Sequence, residues 1–226
     1  SAVGAGQLMG WSEWEHLPLS TRRLPQQDAS KTAYLQYSSG STRFPHGIAI
    51  SHKALMANCH AKTANALDMR DSDRVISWLP FYHDMGLVGC LLAVISSQLS
   101  ADYISTDDFA RRPLTWLKLI SQNAGTSISY SPTFGFDIAA RRANTDAVAT
   151  LDLSRWRVAG NGGDMIRLDI MEAFAKTFGP AGFAPTAFVP SYGLAEATLT
   201  VSIMPTGTGL VAEQIDERLL GQLGDR

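Results

Sequence analysis

Residues 74–87, which read Arg-Val-Ile-Ser-Trp-Leu-Pro-Phe-Tyr-His-Asp-Met-Gly-Leu, decide the fold that we predict for this chain. The first six residues are mostly apolar and a proline follows them, as expected for a short buried strand. The run from Met85 to Ile95 is apolar throughout and is long enough for a helix. A buried strand that passes through a short loop into an apolar helix is the first half of a βαβ unit.

The same alternation of strand and helix patterns continues on both sides of this segment. Further strands are predicted at residues 32–37, 47–50, 101–105, 126–130, 156–159 and 186–189. Helices are predicted after Ser51, at 85–97, from Pro113 to about residue 123, at 134–142 and after Asp164. Because helices separate most of the strands, the predicted fold class is α/β, with a largely parallel sheet covered by helices on both faces.

Patterning also divides the chain into three segments. Residues 1–30 show little periodicity and are predicted to be a connector or arm that leads in from something upstream. Residues 31–205 carry the strand and helix patterns and are predicted to form the α/β core. Residues 206–226 are predicted to begin a further segment that is truncated here.

The composition excludes several classes of function. Of the 226 residues, 45% are hydrophobic and 18% are charged, which favours a large buried core. The formal net charge of −2 argues against a basic nucleic-acid-binding protein. The longest apolar run is shorter than the roughly 20 residues that span a bilayer, so we expect no transmembrane segment. Cys59 and Cys90 lack the spacing of a metal site, and so few cysteines favour the reducing cytoplasm.

Four loops that follow predicted strands carry most of the unusual chemistry. They are residues 38–47, 79–85, 160–164 and 190–196. In open parallel sheets, ligands bind beyond the carboxyl ends of the strands. We therefore expect these loops to meet at one ligand site.

The first loop reads Ser-Ser-Gly-Ser-Thr-Arg-Phe-Pro-His-Gly over residues 38–47. Its backbone N–H groups and hydroxyls suit an anion, and the Arg43 guanidinium matches phosphate oxygens. A Walker A loop is excluded because no Gly-Lys-Ser/Thr follows. A flexible serine-rich turn explains the same composition.

The later loops offer surfaces for a flat ring and for a metal ion. Gly162 and Gly163 let the backbone approach a base closely, although a plain turn capped by Asp164 fits these residues too. The Tyr192 ring can stack on adenine. The Glu196 carboxylate suits Mg²⁺, or it is a solvated charge at the start of a helix.

Two further groups are candidates for binding an acid substrate. His83 lies at the mouth of the predicted apolar helix, where it can orient a carboxylate or stabilise its own loop. Phe134 and Phe136 belong to a segment that can line a hydrophobic tunnel for an acyl chain, and core packing explains them equally well.

Three of these segments resemble, in order, the motifs of the adenylate-forming superfamily of acyl-CoA synthetases, adenylation domains and luciferases. They are the loop 38–47, Trp-Leu-Pro-Phe-Tyr-His-Asp-Met-Gly-Leu at 78–87, and Tyr-Gly-Leu-Ala-Glu-Ala-Thr at 192–198. The residues of the second and third motifs are most similar to those of the fatty acyl-AMP ligase branch. The resemblance covers residues 31–205 and implies the central part of the large domain, an AMP-binding α/β core.

The resemblance implies that ATP and a fatty acid react to give acyl-AMP and pyrophosphate, with Mg²⁺ held by Glu196 and an acyl carrier protein as the acceptor. Glu196, Thr42 and His83 are implied as catalytic, and His83, Phe134 and Phe136 as the acyl pocket. The implied nucleotide-binding residues are Ser38, Ser39, Gly40, Ser41, Thr42, Arg43, Gly162, Gly163, Asp164, Tyr192, Gly193 and Ala195.

The chain departs from the family pattern in several places. Ala195 replaces the threonine of many members, as the fatty acyl-AMP branch commonly shows, and His46 replaces the usual lysine. A Tyr-x-Thr-Gly-Asp segment and a lid domain with its lysine do not occur in this sequence, and residues 1–30 are too few for the amino-terminal subdomain. We therefore expect a fragment with little or no full-cycle activity.

Three other functions are compatible with part of these observations. A fatty acyl-CoA synthetase has the same core, and a non-catalytic ATP-binding module would need no lid. A serine hydrolase is disfavoured because no Gly-x-Ser-x-Gly segment is present.

Overall fold

The structure is a computed structural model in which residues 26–38 and 46–215 are described. The strands of this part of the chain are β1 (Thr32–Ser38), β2 (His46–Ser51), β3 (Asp73–Ser77), β4 (Ser100–Tyr103), β5 (Thr126–Ser131), β6 (Trp156–Asn161), β7 (Phe188–Gly193) and β8 (Thr200–Ile203). Strands β1 and β2 form an antiparallel pair of their own.

The other strands form one sheet in the order β4-β3-β5-β6-β7-β8. All neighbours from β4 to β7 are parallel, and only the edge strand β8 runs antiparallel, against β7. The prediction of a largely parallel α/β sheet is therefore confirmed. The chain adds β4 on one side of β3 and then β5 on the other, so the carboxyl ends of β3 and β5 border a topological switch point.

Helices connect the parallel strands. They are α1 (His52–His60), α2 (Asp84–Gly86), α3 (Ala93–Ser96), α4 (Thr106–Arg111), α5 (Leu114–Gln122), α6 (Thr133–Arg142), α7 (Thr145–Ala149) and α8 (Leu168–Phe178). Helix α1 continues as a π-helical stretch over Ala61–Ala66, and a second π-helical stretch, Leu87–Leu92, joins α2 to α3. Within the described ranges, no helix has the length and apolar character needed to cross a membrane.

Side chains cap the start of some helices but not of others. The Ser51 hydroxyl accepts the Ala54 N–H at 3.1 Å, so the predicted cap of α1 is confirmed. Asp164 does not cap α8, which begins only at Leu168. Its carboxylate instead accepts the Thr133 N–H at 2.9 Å, because Pro132 offers no side-chain cap to the free N–H groups at the start of α6.

An aromatic cluster fills the core between the sheet and its helices. Phe136 and Phe174, from α6 and α8, make edge contact with ring centroids 5.0 Å apart. Trp156 of β6 touches both rings, and Phe188 of β7 completes the packing. The predicted apolar face of α8 is buried in this cluster, at Met171, Phe174 and Phe178.

An ion pair joins three strands at the opposite, amino-terminal edge of the sheet. Asp73 of β3 is buried, and its carboxylate accepts hydrogen bonds from Arg157 of β6 and from the Thr126 hydroxyl of β5. Burial raises the pKa of Asp73, but these bonds and the Arg70 N–H outweigh it, so the pKa lies below its ordinary value.

Candidate functional site

A cavity of about 420 Å³ lies beyond the carboxyl ends of β3, β5, β6 and β7. Because these strands are neighbours in the sheet, the segments that follow them converge on one space. The pair β1–β2 and helix α1 close one side of the space through Gln36, Tyr37 and Lys62, and the hairpin of β7 and β8 closes another.

The cavity brings together residues from three of the four predicted loops. The predicted site residues that line it are His83, Gly162, Gly163, Tyr192, Gly193, Ala195 and Glu196. Tyr192 and Glu196 are exposed at the rim of the cavity, whereas Ala195 is buried.

The other predicted residues lie elsewhere or outside the described ranges. Asp164 is exposed, does not line the cavity and binds the start of α6 instead. Ser38 ends β1, and the rest of the phosphate-loop prediction lies outside the described residues, namely Ser39, Gly40, Ser41, Thr42 and Arg43.

The two phenylalanines predicted to line an acyl tunnel are not at the cavity. Phe136 is fully buried in the aromatic core, so core packing accounts for its burial, and its role in an acyl pocket stays a prediction. Phe134 is 49% exposed and meets Trp78 edge-on, 5.7 Å between ring centroids. Residues 134 and 136 differ because α6 turns them toward different faces.

Glu196 lies in a single 3₁₀ turn, Ala195–Ala197, within the short connection between β7 and β8. The expected turn at 190–193 is strand, because Tyr192 and Gly193 pair with Ser202 and Thr200 of β8. A side chain at Gly193 would place its Cβ 1.9 Å from the Leu199 carbonyl oxygen, so only glycine allows this approach. The Leu194 N–H then donates to the same carbonyl oxygen at 2.8 Å and closes the turn.

The Asn58 side chain of α1 holds this turn from outside. Its Nδ2 donates to the Ala197 carbonyl at 3.1 Å and to the Thr200 carbonyl at 2.9 Å, and its Oδ1 accepts the Thr200 N–H at 3.1 Å. Between these bonds, Thr198 is buried and has a positive φ of 73°, which is rare for a β-branched residue. The position of Glu196 therefore depends on a strained turn that Asn58 pins to α1.

His83 pairs with its neighbour Asp84 at the wall of the cavity. His83 Nδ1 lies 2.8 Å from Asp84 Oδ1, and the same oxygen accepts the Met85 N–H at 2.7 Å at the start of α2. The hydrogen bond with Asp84 raises the pKa of His83, while burial opposes that rise. The Asp84 contact favours the protonated ring, in which Nδ1 donates to Asp84 instead of accepting the Met85 N–H at 3.2 Å. The other nitrogen, Nε2, has no hydrogen bond within the described ranges.

The glycines after β6 are explained by backbone packing around the cavity. A Cβ at Gly162 would lie 2.6 Å from the Ser191 carbonyl oxygen of β7. Gly163 has a φ of 83°, a conformation that favours glycine. The backbone of Gly162 and Gly163 therefore borders the cavity directly.

A metal ion would find one carboxylate here rather than a complete protein cage. Within the described ranges, no group of three His, Cys, Asp or Glu side chains is arranged to hold a metal ion. Glu196 borders the cavity with an exposed carboxylate. A single carboxylate fits Mg²⁺, which binds through one or two carboxylates together with substrate phosphates and water.

Sequence reasoning missed several buried residues that line the cavity, among them Lys62 and Tyr130. A signal for Lys62 was present, because it falls between Cys59 and Ala66 on the apolar face of α1 and its extension. Tyr130 gave no such signal, since an aromatic residue at the end of a buried strand is ordinary core material.

The fold and this cavity define an α/β protein that binds a ligand at the carboxyl edge of its sheet. The family model for the AMP-binding enzyme matches residues 4–223, so the chain belongs to the AMP-binding enzyme family, as the sequence motifs predicted.

Individual relatives agree with this family. A Caulobacter vibrioides protein provisionally named an acyl-CoA synthetase is 54% identical over 197 residues, which are 87% of this chain and 34% of that protein. A medium-chain fatty acid–[acyl-carrier-protein] ligase of Moorena producens is 39% identical over 183 residues, 81% of this chain and 31% of the ligase.

A solved structure from a study of fatty acyl-adenylate ligases of E. coli and L. pneumophila superposes with a TM-score of 0.84 at 47% identity. It covers 92% of this chain, and the chain covers 38% of that structure. The chain thus spans about a third of the length of the relatives that it matches.

Proposed function

We propose that the protein adenylates a carboxylic acid of the fatty acid class. The acid's carboxylate oxygen attacks the α-phosphorus of ATP, a new O–P bond forms, and the bond to the bridging oxygen breaks so that pyrophosphate leaves with its electron pair. The observation that carries the proposal is the single cavity at the switch point, lined by His83, Gly162, Tyr192 and Glu196. Family membership and the fatty acyl-adenylate ligase relative support it.

Each of these residues has a role that its position supports. The bare backbone at Gly162 and Gly163 and the exposed Tyr192 ring are suited to hold adenine between them. The imidazolium of His83 is suited to orient the acid's carboxylate, because its charge is opposite and Asp84 fixes its ring. Most of the catalysis then comes from positioning and charge neutralisation.

Glu196 is the residue that we propose for Mg²⁺. The ion, when bound with ATP, would neutralise phosphate charge, and Glu196 would place it from the hairpin turn. The residues 39–43 of the first loop are proposed to contact the phosphates through their hydroxyls and Arg43.

An acyl carrier protein is the proposed acceptor of the acyl group, with coenzyme A as the alternative. The name of the Moorena producens ligase includes acyl carrier protein, and the name of the Caulobacter relative includes coenzyme A. We also propose a cytoplasmic location, which the buried free thiols Cys59 and Cys90 support.

We further propose that this chain alone binds ATP but turns over slowly, since its relatives are about three times as long. The test compares the chain with the intact gene product. Pyrophosphate release is measured with ATP, Mg²⁺ and fatty acids of several lengths, and acyl-AMP is identified by mass.

The expected result is acyl-AMP from the intact gene product and ATP binding with little pyrophosphate from the chain. Absence of acyl-AMP from the intact gene product with every acid would refute the adenylation proposal. Rapid turnover by the chain would refute only the proposal on its activity. Adding carrier protein or coenzyme A to preformed acyl-AMP then distinguishes the two acceptors.

A further inference from the structure

Lys62 places a buried ammonium on the wall of the cavity. The residue is only 4% exposed and belongs to the π-helical stretch Ala61–Ala66. Its Nζ donates to the Gly89 carbonyl oxygen at 2.7 Å and lies 4.4 Å from the centre of the Tyr130 ring. Burying a charge is costly unless it is paired, yet no carboxylate pairs with Lys62 in the part of the chain described.

The ammonium retains unused hydrogen-bonding capacity. It has three N–H donors, of which Gly89 takes one and the Tyr130 ring faces another. Burial lowers the pKa of Lys62, because the charged ammonium has lost its water and has few partners in the protein. A ligand oxygen in the cavity would supply the missing acceptor.

Tyr130 adds a second polar group at the same place. It is 4% exposed and lines the cavity, and its hydroxyl has no hydrogen-bond partner within the described ranges. Ser191 lies near this hydroxyl, but the Ser191 Oγ donates to the Val189 carbonyl at 3.1 Å. Unpaired buried hydroxyls are uncommon in folded proteins, so this one also points to a partner that binds from outside.

The Tyr130 ring cannot readily turn away from the cavity. It packs directly on Gly160 of β6, where a Cβ would come within 2.4 Å of three ring atoms. Burial raises the pKa of Tyr130, so the hydroxyl keeps its proton at neutral pH and can donate it in a hydrogen bond. The phenol and the ammonium thus form a rigid pair of donors, which we call the inner polar pair.

The inner polar pair is more deeply buried than the groups proposed to bind the nucleotide and the carboxylate. Tyr192 is 62% exposed and the His83 side chain is 54% exposed, whereas Lys62 and Tyr130 are 4% exposed. All of these residues line the same cavity, so an acid whose reacting carboxylate lies near His83 can extend its chain inward toward Lys62 and Tyr130.

We propose that Lys62 and Tyr130 bind an oxygen carried by the acyl part of the substrate. The preferred acid then has a second oxygen function, a hydroxyl, an oxo group or a second carboxylate, in place of a plain alkyl chain. This inference rests on the adenylation function proposed above. A plain alkyl chain would bury the ammonium and the phenol without partners, which disfavours its binding.

The test uses the intact gene product with ATP, Mg²⁺ and three series of acids of equal chain length: alkanoic, hydroxy- or oxo-alkanoic, and dicarboxylic. Pyrophosphate release gives kcat/KM for each acid. We expect one oxygenated series to exceed the alkanoic series by about ten- to a hundred-fold, the usual effect of one charge-assisted hydrogen bond. Lys62→Met should remove that preference, mostly through KM, by lowering kcat/KM for the oxygenated acids and raising it for the alkanoic series, because the apolar side chain no longer needs a polar partner.

Tyr130→Phe should reduce the same preference by a smaller factor. Lys53→Met is the matched control, because Lys53 is an exposed lysine on the same helix, and it should change no ratio. Thermal melting of every variant reports folding, and Lys62→Gln serves as a second variant if Lys62→Met melts early.

Equal kcat/KM for alkanoic and oxygenated acids in the unmodified protein would overturn the inference. So would a Lys62→Met variant that slows all series equally, since a residue that only supports the Gly89 carbonyl would behave in that way. If no acid is adenylated, the proposed function fails, and calorimetric binding of the same acids to the unmodified and Lys62→Met proteins then decides the inference separately.

Discussion

His83 is the residue whose protonation we expect to control ligand binding. Asp84 raises its pKa above the ordinary value of 6.5, so the imidazolium persists to higher pH than in a free histidine. Binding of an anionic ligand near His83 should be strong at low pH and should weaken as pH rises through that raised pKa. The same pair stabilises the fold below pH 6.5, and this contribution is lost over the same rise.

Replacing Asp84 by asparagine tests this expectation. Asp84→Asn removes the carboxylate that stabilises the imidazolium, so the pKa of His83 should fall. The decline of acid and ATP affinity with pH should then begin at lower pH, measured as KM between pH 5.5 and 8.5. Asp107→Asn, at an exposed carboxylate of α4, is the control. Superimposable pH profiles of Asp84→Asn and the unmodified protein would contradict the role given to the pair.

Gly193 is a second residue whose identity we expect to be essential. Gly193→Ala would force the Leu199 carbonyl away from its present position, because the new Cβ lies 1.9 Å from that oxygen. We expect destabilisation of about 1–3 kcal/mol and at least a tenfold loss of kcat/KM, since Glu196 moves with the turn. Unfolding in guanidinium chloride and pyrophosphate release measure the two effects.

Gly179→Ala is the matched control for Gly193→Ala. A Cβ at Gly179 would meet no atom within 4 Å, and the helix α8 ends there without positive φ. This variant should keep both stability and activity. Equal behaviour of the two variants would show that the close approach at Gly193 is unimportant.

At the scale of elements, helix α1 controls the hairpin of β7 and β8 through Asn58. Asn58→Ala removes three hydrogen bonds and leaves part-buried backbone groups of Ala197 and Thr200 without these partners. We expect a loss of about 2–4 kcal/mol in the free energy of unfolding. The KM for ATP·Mg²⁺ should also rise more than tenfold at temperatures where the variant stays folded, because Glu196 loses its fixed position.

Asn144→Ala is the control that distinguishes a loss of stability from a displacement of Glu196. Asn144 caps α7 by accepting the Ala147 N–H at 2.8 Å and does not line the cavity. Its removal should cost about 1 kcal/mol of stability and leave the KM unchanged. A KM for Asn58→Ala that matches that of Asn144→Ala would reject the positioning role of Asn58.

At the scale of the whole molecule, the Asp73–Arg157 pair joins the strands at the edge opposite the cavity. Asp73→Asn leaves the Arg157 guanidinium without its carboxylate, and we expect a loss of about 3–5 kcal/mol at pH 7. The folded-state pKa of Asp73 is lowered, so its stabilising contribution is present above pH 3.8 and is lost as pH falls below that value.

Denaturant unfolding at pH 7 and pH 3 checks this expectation. The difference in stability between the unmodified protein and Asp73→Asn should be largest at pH 7 and should shrink at pH 3. A difference that grows with acid would mean that Asp73 binds its proton more tightly in the folded state. Arg70→Gln, at an exposed ion pair with Asp68, should change stability by less than about 1 kcal/mol.

The sequence predicted the parallel sheet because a helix pattern separates each parallel strand from the next. The same reasoning placed His83, Gly162, Tyr192 and Glu196 at one edge of the sheet, where the cavity lies. Strand β8 was not predicted, because Thr200–Ile203 is short, half-exposed and defined only by its pairing with β7.

Other features depend on distances that one-dimensional patterns do not contain. Phe134 and Phe136 look equivalent in sequence, and only packing shows that Phe136 belongs to the core. Asp164 is of a residue type that often caps the helix following it. Its carboxylate instead accepts a hydrogen bond at the start of α6, which lies earlier in the chain. Lys62 and Tyr130 are separated by more than sixty residues and meet only because β5 ends beside the extension of α1.

The two π-helical stretches make the local structure sensitive to the deletion of a single residue. In an α-helix each residue advances the azimuth by about 100°, and a π-helical turn contains one residue more than an α-helical turn. Deleting a single alanine from Ala61–Ala66 would let that stretch relax into regular α-helix and change the direction of the side chains within it, Lys62 among them. Homologues that differ by one residue at this place would keep the same motifs and still present a different inner surface to the acids that they select.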